Sequence, residues 1–186
     1  MFDPVLPVRD AVRSVVTHFQ KAVDGNVAHG REAALARIKG AVASKGAVVG
    51  AETHGMLAHA DFMCEVICAA AEAGGDRLYV EMFHERHQDT IDDWQDRGKP
   101  DGLVWLMNKL PGHSEKMWQR FWQVLQMAKA CGMRVVTIEP DSLPRLYPGT
   151  QIFFRNLKWQ DKIEADQRAK GRERPYVLYC GEWHVD

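Results

Sequence analysis

Carboxylate and imidazole side chains recur in this chain where short apolar runs end. Ala47-Val48-Val49-Gly50-Ala51 leads directly to Glu52 and His54. A short apolar run followed by a long amphipathic segment reads as a buried parallel strand feeding a helix, which puts this pair at the strand exit. Leu78-Tyr79-Val80-Glu81-Met82-Phe83 carries Glu81, with His84 and His87 just beyond. Arg134-Val135-Val136-Thr137-Ile138 emerges at Glu139-Pro140-Asp141, and Pro175-Tyr176-Val177-Leu178-Tyr179-Cys180 leads to Gly181-Glu182-Trp183-His184. Helix capping alone would select Ser, Thr, Asp or Asn at such places. An imidazole oriented by a carboxylate is instead a general base able to activate water.

Glu81 has apolar residues on both sides, so its carboxylate needs a partner, for which His54, His184 and Arg155 are the candidates. Such an environment marks a functional site, and structural ion pairing is the plainer alternative. No Gly-x-Ser-x-Gly is present and Cys180 falls inside its strand, so water is the expected nucleophile. Arg155, or backbone donors at a helix N-terminus, would hold a developing oxyanion. A catalytic metal on two histidines and two carboxylates is the competing mechanism, with Glu52, His54, Glu81 and His184 as its ligands. His84-Glu85-Arg86-His87 is one residue short of the zincin spacing. His87 reads as a surface residue and His84 as pocket wall. His18, His29 and His113 read as exposed or packing residues, and His59 is left open.

The elements that must position these groups follow from periodicity. Helices are expected over 8–23 and 30–45, then a strand at 47–52 and a helix over 57–73 closed by Gly74-Gly75. A strand at 78–83 precedes a polar helix from His84 to Arg97, ended by Gly98. Trp105, Met107, Met117, Trp118, Trp122 and Met127 make 103–131 aromatic- and Met-rich, which reads as core packing, with a turn at Pro111-Gly112 and Ser114 as an N-cap. A strand at 134–138, a helix over about 151–170 and a strand at 175–180 complete the order. This alternation implies an α/β domain with a mainly parallel sheet of at least four strands, helices on both faces and a helical N-terminal segment over 1–46.

At 186 residues, 46% hydrophobic and 26% charged, the chain reads as one globular domain over 1–186. A formal net charge of −1 gives no footprint for nucleic acid or an anionic membrane. No apolar run is long enough to span a bilayer, and the first residues lack a secretory signal pattern. The four cysteines are too scattered for a disulfide framework and read as buried free thiols of a cytoplasmic protein, Cys64 and Cys68 one helical turn apart, Cys131 and Cys180 isolated.

Together the motifs resemble the superfamily grouping erythromycin esterases, ChaN-like haem-uptake proteins, the TraB/Tiki proteins and the Ras/Rap1-specific endopeptidase domains of bacterial toxins. The matching residues are Ala51-Glu52-Thr53-His54, Glu81, Arg155-Asn156 and Gly181-Glu182-Trp183-His184, spanning about 47–186. Ala51 departs from the usual Gly, and Glu139 lies where ChaN-like members carry an Asn-containing stretch. The chain also stops two residues after His184, so the resemblance implies truncation before a further helix. What it implies for activity is hydrolysis of an ester or peptide bond at Glu52, His54, Glu81 and His184. Arg155, Asn156 and Glu139 would contact a small-molecule ester or a protein substrate. No cofactor is favoured; haem, with Tyr147 as the loop tyrosine, and a divalent metal in a Tiki-like peptidase are the alternatives. A toxin or effector would be secreted by a route that needs no signal peptide.

Overall fold

The structure is a computed structural model that describes residues 30–52, 57–109, 115–143, 148–169 and 175–181, with the backbone alone at 31, 45, 51, 52, 57, 58, 148 and 149. The helix expected over 8–23 and the Ser114 N-cap lie outside the described residues. Helix α1 (Gly30–Lys45) leads into β1 (Ala47–Glu52), then α2 (Leu57–Glu72) and β2 (Arg77–His84). A single 3-10 turn, Glu85–His87, joins β2 to α3 (Gln88–Arg97), followed by α4 (Asp101–Lys109), α5 (Glu115–Ala130) and β3 (Arg134–Glu139). The long α6 (Pro148–Ala169) and β4 (Tyr176–Gly181) complete the order.

All pairings are parallel, in the order β1-β4-β2-β3, so the last strand in sequence lies between the first two. The strands are apolar on both faces because both are covered. Val48, Leu78, Val80, Val135, Val177 and Tyr179 pack against α1 to α5 through residues such as Val42, Val66, Ile91, Leu103 and Leu125. Their neighbours Val49, Tyr79, Val136, Ile138 and Cys180 pack on the other face against Trp159 and Ile163 of α6. Period two thus divides each continuous apolar run between two cores. Gly50 of β1 lies close against α2: a Cβ there would come within 2.3 Å of Met63 Sδ, so the end of the flexible Met63 side chain would have to shift.

Two expectations are corrected. The polar helix expected from His84 begins at Gln88, because β2 continues through His84, which pairs with Glu139 after an irregularity following Val80. The segment 103–131 packs into one core through Leu103, Leu106, Met107, Trp118, Phe121, Val124 and Leu125, but Trp105 is 61% exposed. Gly98 closes α3 at φ 65°, with the Gly98 and Lys99 amides donating back to Trp94 O and Asp93 O, a left-handed cap that favours glycine. Pro148 opens α6, where a missing N–H costs nothing.

Two anchors fix α6. Near its start Arg155 meets Glu81 and Glu139. Near its end Asp166 accepts from Arg77 Nε and Tyr79 OH, both at 2.9 Å, and the buried Gln167 donates to the same phenol. The helix therefore runs back along β2, its N-terminal part at the carboxyl ends of the strands.

The outer edge of β3 is covered by side-chain amides of α3. Gln95 donates to Met133 O at 3.0 Å and accepts from the Val135 amide at 2.9 Å. Gln88 donates to Val135 O at 3.1 Å and accepts from the Thr137 amide at 2.8 Å. Two glutamines, seven residues apart on one helix face, replace the partner strand that an edge lacks.

Candidate active site at the carboxyl edge of the sheet

A parallel sheet delivers every strand end to one rim, and here the rim carries Glu52, Glu81 and Glu139. In the register, Glu52 is paired with Gly181, so the last residues of β1 and β4 are neighbours. Pairing between β2 and β4 is recorded from Arg77↔Tyr176 to Val80↔Tyr179. Just past that point the Glu81 side chain reaches β4: the Gly181 amide donates to Glu81 Oε2 at 2.7 Å. Beyond Val80 a carboxylate thus meets the strand amide that opens the Gly181–His184 motif. A carboxylate accepting a backbone N–H forms a strong, charge-assisted bond.

The other oxygen of Glu81 accepts from Arg155 Nη2 at 2.9 Å. The same nitrogen donates to Glu139 Oε2 at 2.8 Å, and Arg155 Nε donates to that oxygen at 3.1 Å. Trp159 Nε1, one helical turn beyond Arg155, adds a 3.3 Å bond to Glu139 Oε2, and its ring lies 5.6 Å from the guanidinium carbon. The two carboxylates are only 11% and 13% exposed. Three strongly interacting groups from β2, β3 and α6 are thereby locked together. Among the described residues Arg155 Nη1 makes no hydrogen bond, so its two N–H groups are left over from the fork. Asn156 follows, half-buried on α6.

His84 is paired in register with Glu139, and its Nδ1 lies 2.9 Å from Pro140 O. With a carbonyl as partner, Nδ1 is the donor of this bond. His87 is half-buried and not a plain surface residue as expected; burial, and then the charge of Arg86 and the neighbouring His84, push its pKa down. His59 is half-buried on α2.

Of the residues expected in the site, the structure brings Glu81, Glu139 and Arg155 into direct contact and sets the backbone of Glu52 beside Gly181. His54, His184 and Tyr147 lie outside the described residues, as does the Glu52 side chain. Trp159 was missed by sequence reasoning; its spacing of four from Arg155, on the same helix face, was the available signal. Among the described residues no three His, Cys, Asp or Glu side chains are grouped to hold a metal ion.

No protein-family model matches this chain, and no curated protein matches it in sequence. Solved structures do resemble it. One is a type III effector, HopBA1, at 18% identity with a TM-score of 0.64, covering 81% of this chain and 72% of that one. Another is the Pasteurella multocida toxin, whose C-terminal region is described as having a thiol-protease-like catalytic triad. It superposes at 14% identity and a TM-score of 0.65 over 94% of this chain, which spans only 23% of that toxin chain. The fold is therefore one also found in an effector and in a toxin.

Proposed function

We propose that this chain is a hydrolase of an ester or peptide bond whose site is the carboxyl rim of the sheet, with water as nucleophile and histidine as general base. The observation that carries the reading is the Glu81 carboxylate, held by Arg155 on one side and by the Gly181 amide on the other. Gly181 is three residues before His184, and its register partner Glu52 is two residues before His54. In this reading Glu52 and Glu81 orient His54 and His184, and one ring nitrogen stays free for proton transfer. Arg155 acts chiefly by fixing Glu81 and Glu139, with Nη1 left for a substrate oxygen beside Asn156.

The toxin's thiol-protease-like triad supports hydrolysis as the reaction class. It does not favour a thiol nucleophile here. Cys180 is 1% exposed within β4, while Cys64, Cys68 and Cys131 sit with α2 and α5 on the face away from α6. The effector and toxin neighbours also support a secreted or injected protein, and no described helix is long and apolar enough to cross a membrane.

A screen of ester and peptide substrates, followed by His54→Ala, His184→Ala and the double variant, tests the reading. Each single change is expected to cost about 10²- to 10⁴-fold in turnover, and the double variant barely more, because residues acting as one unit are non-additive. Strictly additive losses would sink the single-unit idea. A loss with chelator that a divalent ion restores would hand the site to a metallopeptidase, and a Soret band in the purified protein to haem binding.

A further inference from the structure

Outside the rim, sulfur atoms gather between α2 and the end of α5. Cys68 of α2 and Cys131, the residue that follows α5, are 63 residues apart in sequence, yet their Sγ atoms lie 3.4 Å apart. The Cys68 thiol also lies 3.3 Å from Met127 Sδ, one turn earlier on α5. Both thiols are half-buried, so neither is sealed from small reagents. We propose that Cys68 and Cys131 are a redox pair that closes to a disulfide, stapling α2 to the end of α5.

A disulfide needs its sulfur atoms about 2.05 Å apart, so closure requires a movement of about 1.4 Å, within the range of side-chain rotation. Cys131 sits in the turn after α5, with its amide still bonded to Met127 O, where its side chain has more freedom than one inside a helix. The oxidant is a small-molecule disulfide of the glutathione type. The Cys68 thiolate attacks one sulfur and expels a thiol, which takes up the Cys68 proton. The Cys131 thiolate then attacks Cys68 Sγ in the mixed disulfide and expels the second thiol with the remaining proton. Two protein thiols become one disulfide, and one external disulfide becomes two thiols. Burial, and then the neighbouring Cys68 thiol, push Cys131 up to about 11, which makes the second step slow. In a reducing compartment the thiol pool keeps the pair reduced. On passage to an oxidising one the staple would form. The inference does not depend on the hydrolase reading, because these residues belong to the opposite face of the sheet from Arg155.

The test is incubation of the full chain with oxidised glutathione. The expected result is a fall in titratable thiols from the four of the sequence to two, with a single cross-linked peptide containing Cys68 and Cys131. The melting temperature should rise by about 5–10 °C, as for a bridge closing a loop of this length. Cys64→Ser should keep the rise, and Cys68→Ser or Cys131→Ser should lose it. Four thiols retained, a stable glutathione adduct, or a cross-link between Cys64 and Cys68 would overturn the proposal. Because the peptide map is made on the unaltered chain, it decides even if a variant fails to fold.

Discussion

One guanidinium serves two carboxylates at the rim, so substitutions there separate charge from geometry. Arg155→Lys keeps the cation but cannot reproduce a fork that places Nε and Nη2 on Glu139 and Nη2 on Glu81. It should leave stability within about 1 kcal/mol of wild type and lower turnover at least tenfold, read as kcat/KM on the substrate that the screen identifies. Unchanged turnover would leave Arg155 as scaffold only. Arg155→Gln removes the cation and leaves two mostly buried carboxylates facing each other, at a cost of about 2 kcal/mol in denaturant unfolding. Adding Glu139→Gln to that variant should recover part of the loss, a coupling that a merely structural cavity would not show. At the sulfur pair, the raised pKa of Cys131 implies that little thiolate is present near neutrality. Alkylation of Cys131 at pH 8 should run at least tenfold slower than for an ordinary exposed thiol and accelerate as pH rises towards 11.

At the scale of elements, much was legible because periodicity reports burial. The runs 47–52, 134–138 and 175–180 were readable as strands since both their faces are covered, and the helices over 30–45 and 57–73 since their apolar stripes are continuous. His84 was misread because a polar residue following Phe83 resembles a helix start, whereas its pairing with Glu139 across a register shift is a tertiary fact. The same holds for Cys131: nothing local in 127–133 announces Cys68. The site carboxylates were visible as acidic residues at strand ends, but Trp159 and the Gly181 amide depend on where α6 and β4 dock. The glutamine cover of β3 was equally invisible. Removing it by Gln95→Ala leaves Met133 O and the Val135 amide without their bonds, for an expected loss of about 1–3 kcal/mol. Gln95→Glu should be as harmful, since it keeps an acceptor for Val135 but loses the donor to Met133 O. A denaturant titration showing either variant as stable as wild type would mean that water replaces the side-chain amide.

For the whole molecule, the strand order carries a consequence about time. β1 and β2 are not paired with each other; β4 enters between them and is the only described partner of β1. Roughly a hundred residues separate β2 from β4, so closing the sheet costs more loop entropy than joining neighbours in sequence would. A chain ending at residue 170 should therefore show β2–β3 and helical content by circular dichroism but no cooperative unfolding. A sharp transition in that shortened chain would refute the dependence. The ribosome releases β1 long before its partner exists, and the rim residues on β1 and β2 cannot meet until β4 arrives. Activity at the rim would then appear only after β4 has emerged, and a chain stalled before that point would be inert.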